Sequence, residues 1–276
     1  MQIFLNHRFV PAARAVVPLF DRGLLYGDGL FETVRVHGGQ AVRLTQHLAR
    51  LQSGADFLRI KIPYAPEKIS ALAVRLLAKN KFRAGLLRLT LTRGVGARGY
   101  SPRGADTPTF AMSLHPLPPP KRVGRLVTAA LRLPAADPLA RHKTANKLVQ
   151  ILARAEADEA RADEALLLNS RGQIAETTSA NIFIIVAGKV LTPPVSAGIL
   201  PGLMRAAVLE LCAQLGLPAR EQNFSPARLR RAEGVFLTST AQSLVEVTAL
   251  DGHRLRRSPL VKTLRAAFIA QLAHAN

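Results

Sequence analysis

The residue best suited to covalent chemistry is Lys143, which lies in the segment ARHKTANKL directly after Arg141 and His142. An amine attacks an aldehyde in its neutral form, which burial and neighbouring cations favour. A lysine near the start of a helix is usually a solvated residue, so these neighbours alone do not make Lys143 a nucleophile.

A second candidate is the turn ILPGLMR, which brings the backbone N–H groups of Leu203 and Met204 to the start of a predicted helix. Unpaired amides and the helix dipole bind phosphate at such a position. Arg50 in HLARL and Thr240 in TSTAQ could add guanidinium and hydroxyl contacts. Most helix starts bind no anion, and an ordinary loop-to-helix turn is the alternative interpretation.

A third candidate is Glu176 in AETTSAN, at the end of a predicted strand and among small hydroxyl residues. A carboxylate in such a place more often accepts hydrogen bonds within a turn than takes part in chemistry. Each of the three features is therefore weak when it is considered alone.

The formal net charge of +20 raises the alternative of a non-enzymatic protein that binds nucleic acid. The basic residues are spread along the chain, with short clusters only around Arg228 and Arg254, and aromatic residues make up only 5% of the chain. Such a composition lacks the aromatic platforms on which bases stack. Nucleic-acid binding is therefore a remote alternative, and an anionic substrate and cofactor would suit the same charge.

The chain carries a single cysteine, Cys212, in the apolar run VLELCAQLG. It can form no intrachain disulfide and offers no Cys/His spacing for a metal, so we expect a buried thiol and no metal site. No run reaches about 18 consecutive apolar residues, and the first residues lack the apolar core of a signal peptide. We therefore expect a cytoplasmic protein without a membrane partner.

Apolar periodicity predicts strands and helices along the whole chain. Helices are predicted for HLARLQSGADFL, for PEKISALAVRLLAKN, for TANKLVQILARAEADEAR and, between Pro201 and Gly216, for GLMRAAVLELCAQLG. The strand patterns are QIFLN, RFVPA, FETVRV, AVRL, LLRLTLTRG, TPTFAMSL, GRLVTAALRL, EALLLN, NIFIIVAGKVLT, GVFLTST and LVEVTAL.

The proline run HPLPPPKR can enter neither a helix interior nor a central strand, so it is predicted to connect two domains. The predicted organisation is an N-terminal α/β domain over 1–115, a linker over 116–122 and a C-terminal domain over 123–276. The spacing of the elements lacks the regular rhythm of a doubly wound fold. We therefore predict an α/β or α+β class with mixed sheets in two domains.

Six segments occur together in the order found in one family of enzymes. They are DRGLLYGDGLFETVRV, HLARL, HKTANKL, DEALLLNSRGQIAETTSANIF, LTPPVSAGILPGLMR and VFLTSTAQSLVEVT. Through them nearly the whole chain resembles the class IV, or fold type IV, pyridoxal-phosphate enzymes. These comprise branched-chain aminotransferase, D-amino acid aminotransferase and 4-amino-4-deoxychorismate lyase, and the chain is most similar to the lyases.

The resemblance implies a cofactor, pyridoxal 5′-phosphate, in the cleft between two α/β domains of a D-amino acid aminotransferase-like fold, and a homodimer. It implies that Lys143 carries the cofactor as a Schiff base and afterwards moves the substrate proton. It also implies that Glu176 pairs with the pyridine nitrogen and keeps it protonated. The implied phosphate ligands are Arg50, the amides of Leu203 and Met204, and Thr240.

The substrate residues implied by the resemblance favour the lyase, which releases pyruvate and forms 4-aminobenzoate in folate biosynthesis. TRGVGARGYSP is similar to the lyase segment and carries Arg98 and Tyr100, while Arg88 precedes it on a strand. A substrate with two carboxylates needs cationic partners, and guanidinium groups bind carboxylates through two hydrogen bonds. The remaining substrate positions implied by the resemblance are Phe31 and Ala241.

Two further positions bear on the choice between lyase and aminotransferase. Thr33 matches a lyase threonine that assists proton transfer, and Met204 matches the lyase form of the phosphate turn. Thr33 could also be an ordinary β-branched strand residue, and D-amino acid aminotransferases also carry an arginine at the position of Arg98. An aminotransferase acting on D-amino or branched-chain amino acids is therefore the alternative function.

Overall fold

The computed structural model describes residues 1–120 and 123–274. The chain divides into two compact units. The first comprises residues 1–118 together with His142–Asn146, and the second comprises Pro119–Arg141 and Lys147–His274. Residues 121 and 122 of the predicted linker, and residues 275 and 276 of the predicted C-terminal domain, lie outside the described residues.

The described residues of the first unit form one six-stranded sheet, three α-helices and a short 3-10 helix, Ala12–Arg14. Its elements are β1 (Gln2–Leu5), β2 (Arg8–Pro11), α1 (Arg22–Tyr26), β3 (Gly29–His37), β4 (Gln40–Ala41), α2 (Leu44–Leu58), α3 (Pro66–Lys79), β5 (Gly85–Thr92) and β6 (Thr109–His115). The strand order is β2-β1-β6-β5-β3-β4, and every neighbouring pair is antiparallel.

Strict alternation along β3 gives its sheet one buried face and one more open face. Leu30, Val34 and Val36 are fully buried and belong to the core of this unit, which also includes apolar residues of α2 and α3. Burying each such side chain contributes about 1.5–3 kcal/mol. Phe31 and Thr33 alternate with the core residues and therefore lie on the other face.

The second unit is built on a nine-stranded mixed sheet. Its elements are β7 (Val123–Leu133), α4 (Leu148–Glu159), β8 (Glu164–Asn169), β9 (Ile174–Thr177), β10 (Asn181–Val186), β11 (Lys189–Thr192), α5 (Leu203–Gln214), β12 (Ala219–Glu221), α6 (Pro226–Arg230), β13 (Gly234–Ser239), β14 (Ser243–Leu250), β15 (His253–Arg254) and α7 (Pro259–His274). The strand order is β12-β11-β10-β13-β14-β7-β8-β9, with β15 paired to β14. β7 is parallel to both β8 and β14, and β11 is parallel to β12.

The predicted α/β class with two sheets is confirmed, although only the sheet of the second unit mixes strand directions. Cys212 is buried in α5, and burial raises the pKa of its thiol to about 11. None of the helices in the described ranges has both the length and the apolar character needed to cross a membrane.

One predicted helix boundary is wrong. The pattern TANKLVQILARAEADEAR predicts a helix from Thr144, but α4 begins only at Leu148. The residues before it are used for sheet pairing instead: Ala145 N donates to Gly29 O at 2.8 Å, and Thr144 forms a bridge with Leu30. Pairing with β3 therefore overrides the local preference for helix.

Candidate functional site

The backbone around Lys143 is fixed to the edge of the first unit's sheet. Phe31 N donates to Lys143 O at 3.0 Å, on the strand β3 to which Thr144 and Ala145 are also bound. Lys143 therefore extends from a backbone held by several hydrogen bonds, which restricts where its amine can lie.

Two cations meet the ring of Phe31. The Lys143 Nζ lies 4.6 Å from the ring centroid, and the Arg88 guanidinium carbon lies 4.1 Å from it. Both distances are within the range of cation–π attraction. The aromatic ring thus holds an amine and a guanidinium at one place on the sheet.

Thr33 lies on the same face of the sheet as this group. In the antiparallel pairing of β3 and β5, Thr33 is directly opposite Arg88, and Phe31 is two residues before Thr33 on the same strand. Residues opposite each other on neighbouring strands share a face. Burial lowers the pKa of Arg88. An amine, a hydroxyl, a guanidinium and an aromatic ring are therefore brought together.

Arg50 is oriented by a buried carboxylate, that of Glu32, which is only 1% exposed. Arg50 Nε donates to Glu32 Oε1 at 2.7 Å, Arg50 Nη2 donates to Oε2 at 2.8 Å, and His47 Nδ1 lies 2.7 Å from Oε2. Burial alone would raise the pKa of Glu32, but the hydrogen bonds from Arg50 and His47 outweigh it and lower the pKa to about 2. The charged carboxylate therefore fixes the plane of the Arg50 guanidinium.

Glu32 and His47 were not among the residues identified from the sequence. The signal that could have revealed Glu32 is its position: it alternates with Phe31 and Thr33 and therefore falls on the buried face of β3. A carboxylate on a core face requires a buried partner. His47 precedes Arg50 by three residues on α2, which places both on one helix face.

Arg98 and Tyr100 lie in another part of the first unit, the loop of residues 93–108 between β5 and β6. Both are exposed. Tyr100 packs edge to face against Tyr26, with ring centroids 5.7 Å apart. The structure therefore groups Lys143 with Phe31 and its neighbours, and presents Arg98 and Tyr100 on a separate loop.

In the second unit, Glu176 on β9 is held by two hydrogen bonds to one oxygen. Its Oε2 accepts from Leu200 N at 3.0 Å and from Asn181 Nδ2 at 3.4 Å. Asn181 Nδ2 also donates to Leu200 O at 3.0 Å. These contacts fix the carboxylate against the turn that precedes α5. Burial lowers the pKa of Lys147, while the charge of Glu176 opposes this shift.

The start of α5 has no side-chain cap. Leu203 and Met204 are its first two residues, and the N-cap is Gly202, which has no side chain to accept from their amides. A Cβ at Gly202 would lie 1.9 Å from Asn181 Oδ1. Only glycine fits there without displacing Asn181, which also contacts Glu176.

The remaining predicted residues of the second unit, Thr240 and Ala241, are half-buried in the turn between β13 and β14. A further carboxylate was missed by sequence reasoning: Glu164 on β8 is buried and accepts from the hydroxyls of Thr178 and Ser179, the latter at 2.6 Å. It thereby orders the hydroxyl residues that follow Glu176.

Comparison with known proteins places this geometry in a family. The model of the family described as amino-transferase class IV matches residues 29–250. A protein of Methanocaldococcus jannaschii assigned as a branched-chain-amino-acid aminotransferase is 37% identical over 255 residues, which cover 91% of this chain and 88% of that protein.

Solved structures of two kinds of enzyme resemble the chain. The branched-chain aminotransferase of Thermoproteus uzoniensis has a TM-score of 0.94 at 26% identity, with 100% of this chain and 96% of that chain covered. The 4-amino-4-deoxychorismate lyase of Pseudomonas aeruginosa has a TM-score of 0.87 at 32% identity, with 98% and 99% covered.

Proposed function

Since the chain belongs to the class IV aminotransferases, a family of enzymes that depend on pyridoxal 5′-phosphate, we propose that it is a 4-amino-4-deoxychorismate lyase. The reaction forms 4-aminobenzoate and pyruvate. The supporting observation is the group on the open sheet face of the first unit, where Thr33 lies opposite Arg88 and the Lys143 amine lies on the Phe31 ring.

The residues of this chain fit the cofactor in chemical type. Lys143 supplies an amine for its aldehyde, and the uncapped amides of Leu203 and Met204 suit a phosphate. Arg50, oriented by Glu32, and Thr240 would add phosphate contacts, and Glu176 would bind the pyridine nitrogen. When bound, the cofactor withdraws electrons from the substrate carbon that bears the amine and so acidifies its proton.

Lys143 has two proposed tasks, to carry the cofactor and then to accept and return the substrate proton at Nζ. Thr33 would assist this transfer through its Oγ1. The guanidinium of Arg88 suits a carboxylate, and the ring of Phe31 offers an apolar surface to the planar ring of the substrate. Arg98 and Tyr100, which lie on the separate loop, and Ala241 are the remaining proposed substrate residues. The similarity to the Pseudomonas aeruginosa lyase supports the proposed reaction.

The second candidate function is transfer of an amino group from a D-amino or branched-chain amino acid. It is supported by the 37% identity to the Methanocaldococcus jannaschii protein and by the TM-score of 0.94 to a branched-chain aminotransferase. In both reactions the lysine removes a proton from the substrate. The lyase then releases pyruvate, whereas the aminotransferase transfers the amino group, and a few residues around the substrate can decide between the two.

A product assay separates the two functions. Purified protein loaded with cofactor is given aminodeoxychorismate, and 4-aminobenzoate and pyruvate are measured; parallel reactions contain D-alanine or leucine with 2-oxoglutarate. We expect equal amounts of both products in the first reaction. Turnover of an amino acid without 4-aminobenzoate would establish the aminotransferase instead, and a preparation that gains no absorbance with added cofactor would contradict both functions.

We also propose that the protein acts as a homodimer. Several large apolar side chains of the first unit are exposed around the start of α1. An isolated antiparallel β-bridge pairs Val95 with Asp21, which directly precedes α1, so Val95 belongs to the same group. They are Val16, Val17, Leu19, Phe20, Leu24, Leu25 and Val95. An apolar surface of this kind is typical of an interface, and a second copy of the chain would cover it.

A further inference from the structure

The loop of residues 93–108 is held by a buried arginine at the start of α1. Arg22 is 3% exposed, and its Nη1 donates to Gly99 O at 2.9 Å and to Ser101 O at 3.2 Å. Its Nη2 donates to Tyr100 O at 3.1 Å. A single guanidinium therefore binds the carbonyl groups of three consecutive loop residues.

Arg22 is itself fixed by its surroundings. Its Nε donates to Asp28 Oδ2 at 2.9 Å, and its backbone N donates to Gly94 O at 2.8 Å. Although burial raises the pKa of Asp28, hydrogen bonds from Arg93 and Arg22 outweigh this effect and lower it. A Cβ at Gly96 would lie 2.9 Å from Arg22 Cδ, so glycine leaves room for the arginine side chain.

Tyr26 at the end of α1 supports the same loop. Its Oη accepts from Gly99 N at 3.1 Å, and its ring packs edge to face on Tyr100. The Arg22 guanidinium lies 4.9 Å from the centroid of the Tyr26 ring. Both ends of α1 therefore contact the segment that directly follows Arg98.

We propose that Arg22 is a positioning residue that holds the loop so that Arg98 meets a substrate carboxylate in one conformation. The inference rests on the proposed function, in which Arg98 binds the substrate. Ordering a flexible loop costs conformational entropy, which weakens binding when the order is acquired only with the ligand. Arg22 acts through the loop, because its guanidinium is buried and hydrogen-bonded to backbone carbonyls and to Asp28.

The test compares holoenzyme carrying Arg22→Lys with the wild type. Lysine keeps the positive charge beside Asp28. It lacks the planar guanidinium group whose N–H donors bind the three carbonyl groups. We expect faster backbone hydrogen exchange in residues 97–105, a KM for aminodeoxychorismate raised about tenfold, kcat changed by less than about threefold and unchanged cofactor absorbance. Tyr26→Phe, which keeps the pair of Arg22 with Asp28, should shift exchange and KM in the same direction by a smaller factor.

A double-mutant cycle with Arg98→Gln distinguishes positioning from a general structural role. If Arg22 acts through Arg98, Arg22→Lys should raise KM less than about twofold once Arg98 is absent. If Arg22→Lys only disordered the structure in general, it would raise KM by the same factor in the wild type and in Arg98→Gln. Arg103→Gln, which removes an exposed charge from the same loop, is the control and should leave hydrogen exchange unchanged.

The inference is overturned if exchange in the loop is unchanged in both α1 variants, or if the effect of Arg22→Lys on KM is the same without Arg98. It is also overturned if Arg98→Gln leaves KM unchanged. Failure of the proposed function has a different signature, because the wild type would then form no 4-aminobenzoate. The same KM series would then use the amino acid that is turned over, whose carboxylate tests the same coupling.

Discussion

Arg50 on α2 forms an ion pair with the buried carboxylate of Glu32 on β3 through two parallel hydrogen bonds, Nε to Oε1 at 2.7 Å and Nη2 to Oε2 at 2.8 Å. This geometry fixes the guanidinium in rotation as well as in position. If Arg50 binds the cofactor phosphate, the ion pair with Glu32 sets the orientation of the Arg50 guanidinium toward that phosphate.

We therefore expect Glu32→Gln to weaken cofactor binding about tenfold or more, because a neutral amide cannot accept two charge-assisted hydrogen bonds. Titration of the apoprotein with pyridoxal 5′-phosphate, followed by absorbance, measures the effect. Asp56→Asn, which neutralises an exposed carboxylate on the same helix, is the matched control and should bind normally. Equal affinity of the Glu32 variant and the wild type would contradict this role of Glu32.

The same pair predicts how stability depends on pH. The pKa of Glu32 falls from its ordinary value of 4.5 to about 2 in the folded protein, so its ionised form is stabilised by folding. The contribution of this shift to the free energy of unfolding, about 3 kcal/mol, is fully present above pH 4.5. It is lost as the pH falls toward 2. The difference in unfolding free energy between wild type and Glu32→Gln should therefore shrink between about pH 5 and pH 2.5, measured by chemical denaturation. A difference that stays constant over this range would show that Glu32 is not the titrating group.

In the first unit, the sequence predicted the strands and helices well where a periodic pattern of apolar residues extended over several residues. FETVRV and PEKISALAVRLLAKN correspond to β3 and α3, because alternation or helical spacing continues over several residues. α1 was not predicted, because its five residues are too few to show a helical period. Its N-cap residue, Asp21, accepts from Gly23 N at 2.7 Å, and the presence of an aspartate at this position was the local signal in the sequence.

The positions of the candidate site residues could be predicted only in part. Lys143 and Glu176 were proposed from motifs. The pairing of Thr144, next to Lys143, with Leu30 on β3 depends on residues far apart in sequence. Glu32 and Arg22 are charged residues whose burial is visible only once the faces of β3 and α1 are known. Long-range pairing and the burial of charge are therefore the features that a single sequence left unspecified.

Thr33 gives a direct test of the proposed proton transfer. Thr33→Ala should lower kcat of the lyase reaction about 10²-fold while cofactor affinity changes less than about threefold, because in the proposed mechanism the hydroxyl would assist at the reacting atoms. Thr33→Ser retains the hydroxyl and should recover most of the activity. Steady-state assays of 4-aminobenzoate formation and cofactor titration measure the two quantities. Equal loss of turnover and cofactor binding in Thr33→Ala would argue against this role.

Gly202 should be intolerant of substitution, because a Cβ there would lie 1.9 Å from Asn181 Oδ1. We expect Gly202→Ala to displace Asn181 and the first turn of α5, and to weaken cofactor binding about tenfold. The control is Gly124→Ala in β7, where a Cβ would meet its nearest atoms only at 3.6 Å. Absorbance titration of both variants, with thermal unfolding to confirm that each is folded, measures the difference. Normal affinity in Gly202→Ala would show that the α5 turn does not bind the phosphate.

The exposed apolar side chains near α1 predict the effect of adding charge to that surface. Phe20 is 64% exposed and Leu24 is 63% exposed, so a glutamate at either position would be well solvated in a single chain. At an interface the same glutamate would be buried without a partner, which strongly disfavours association. We therefore expect light scattering to show a dimer for the wild type and a monomer for Phe20→Glu, with unchanged far-ultraviolet circular dichroism. Val74→Glu, at a position 65% exposed on α3, is the control and should stay dimeric. A wild type that is monomeric at micromolar concentration, or a Phe20→Glu variant that remains dimeric, would contradict the proposed interface.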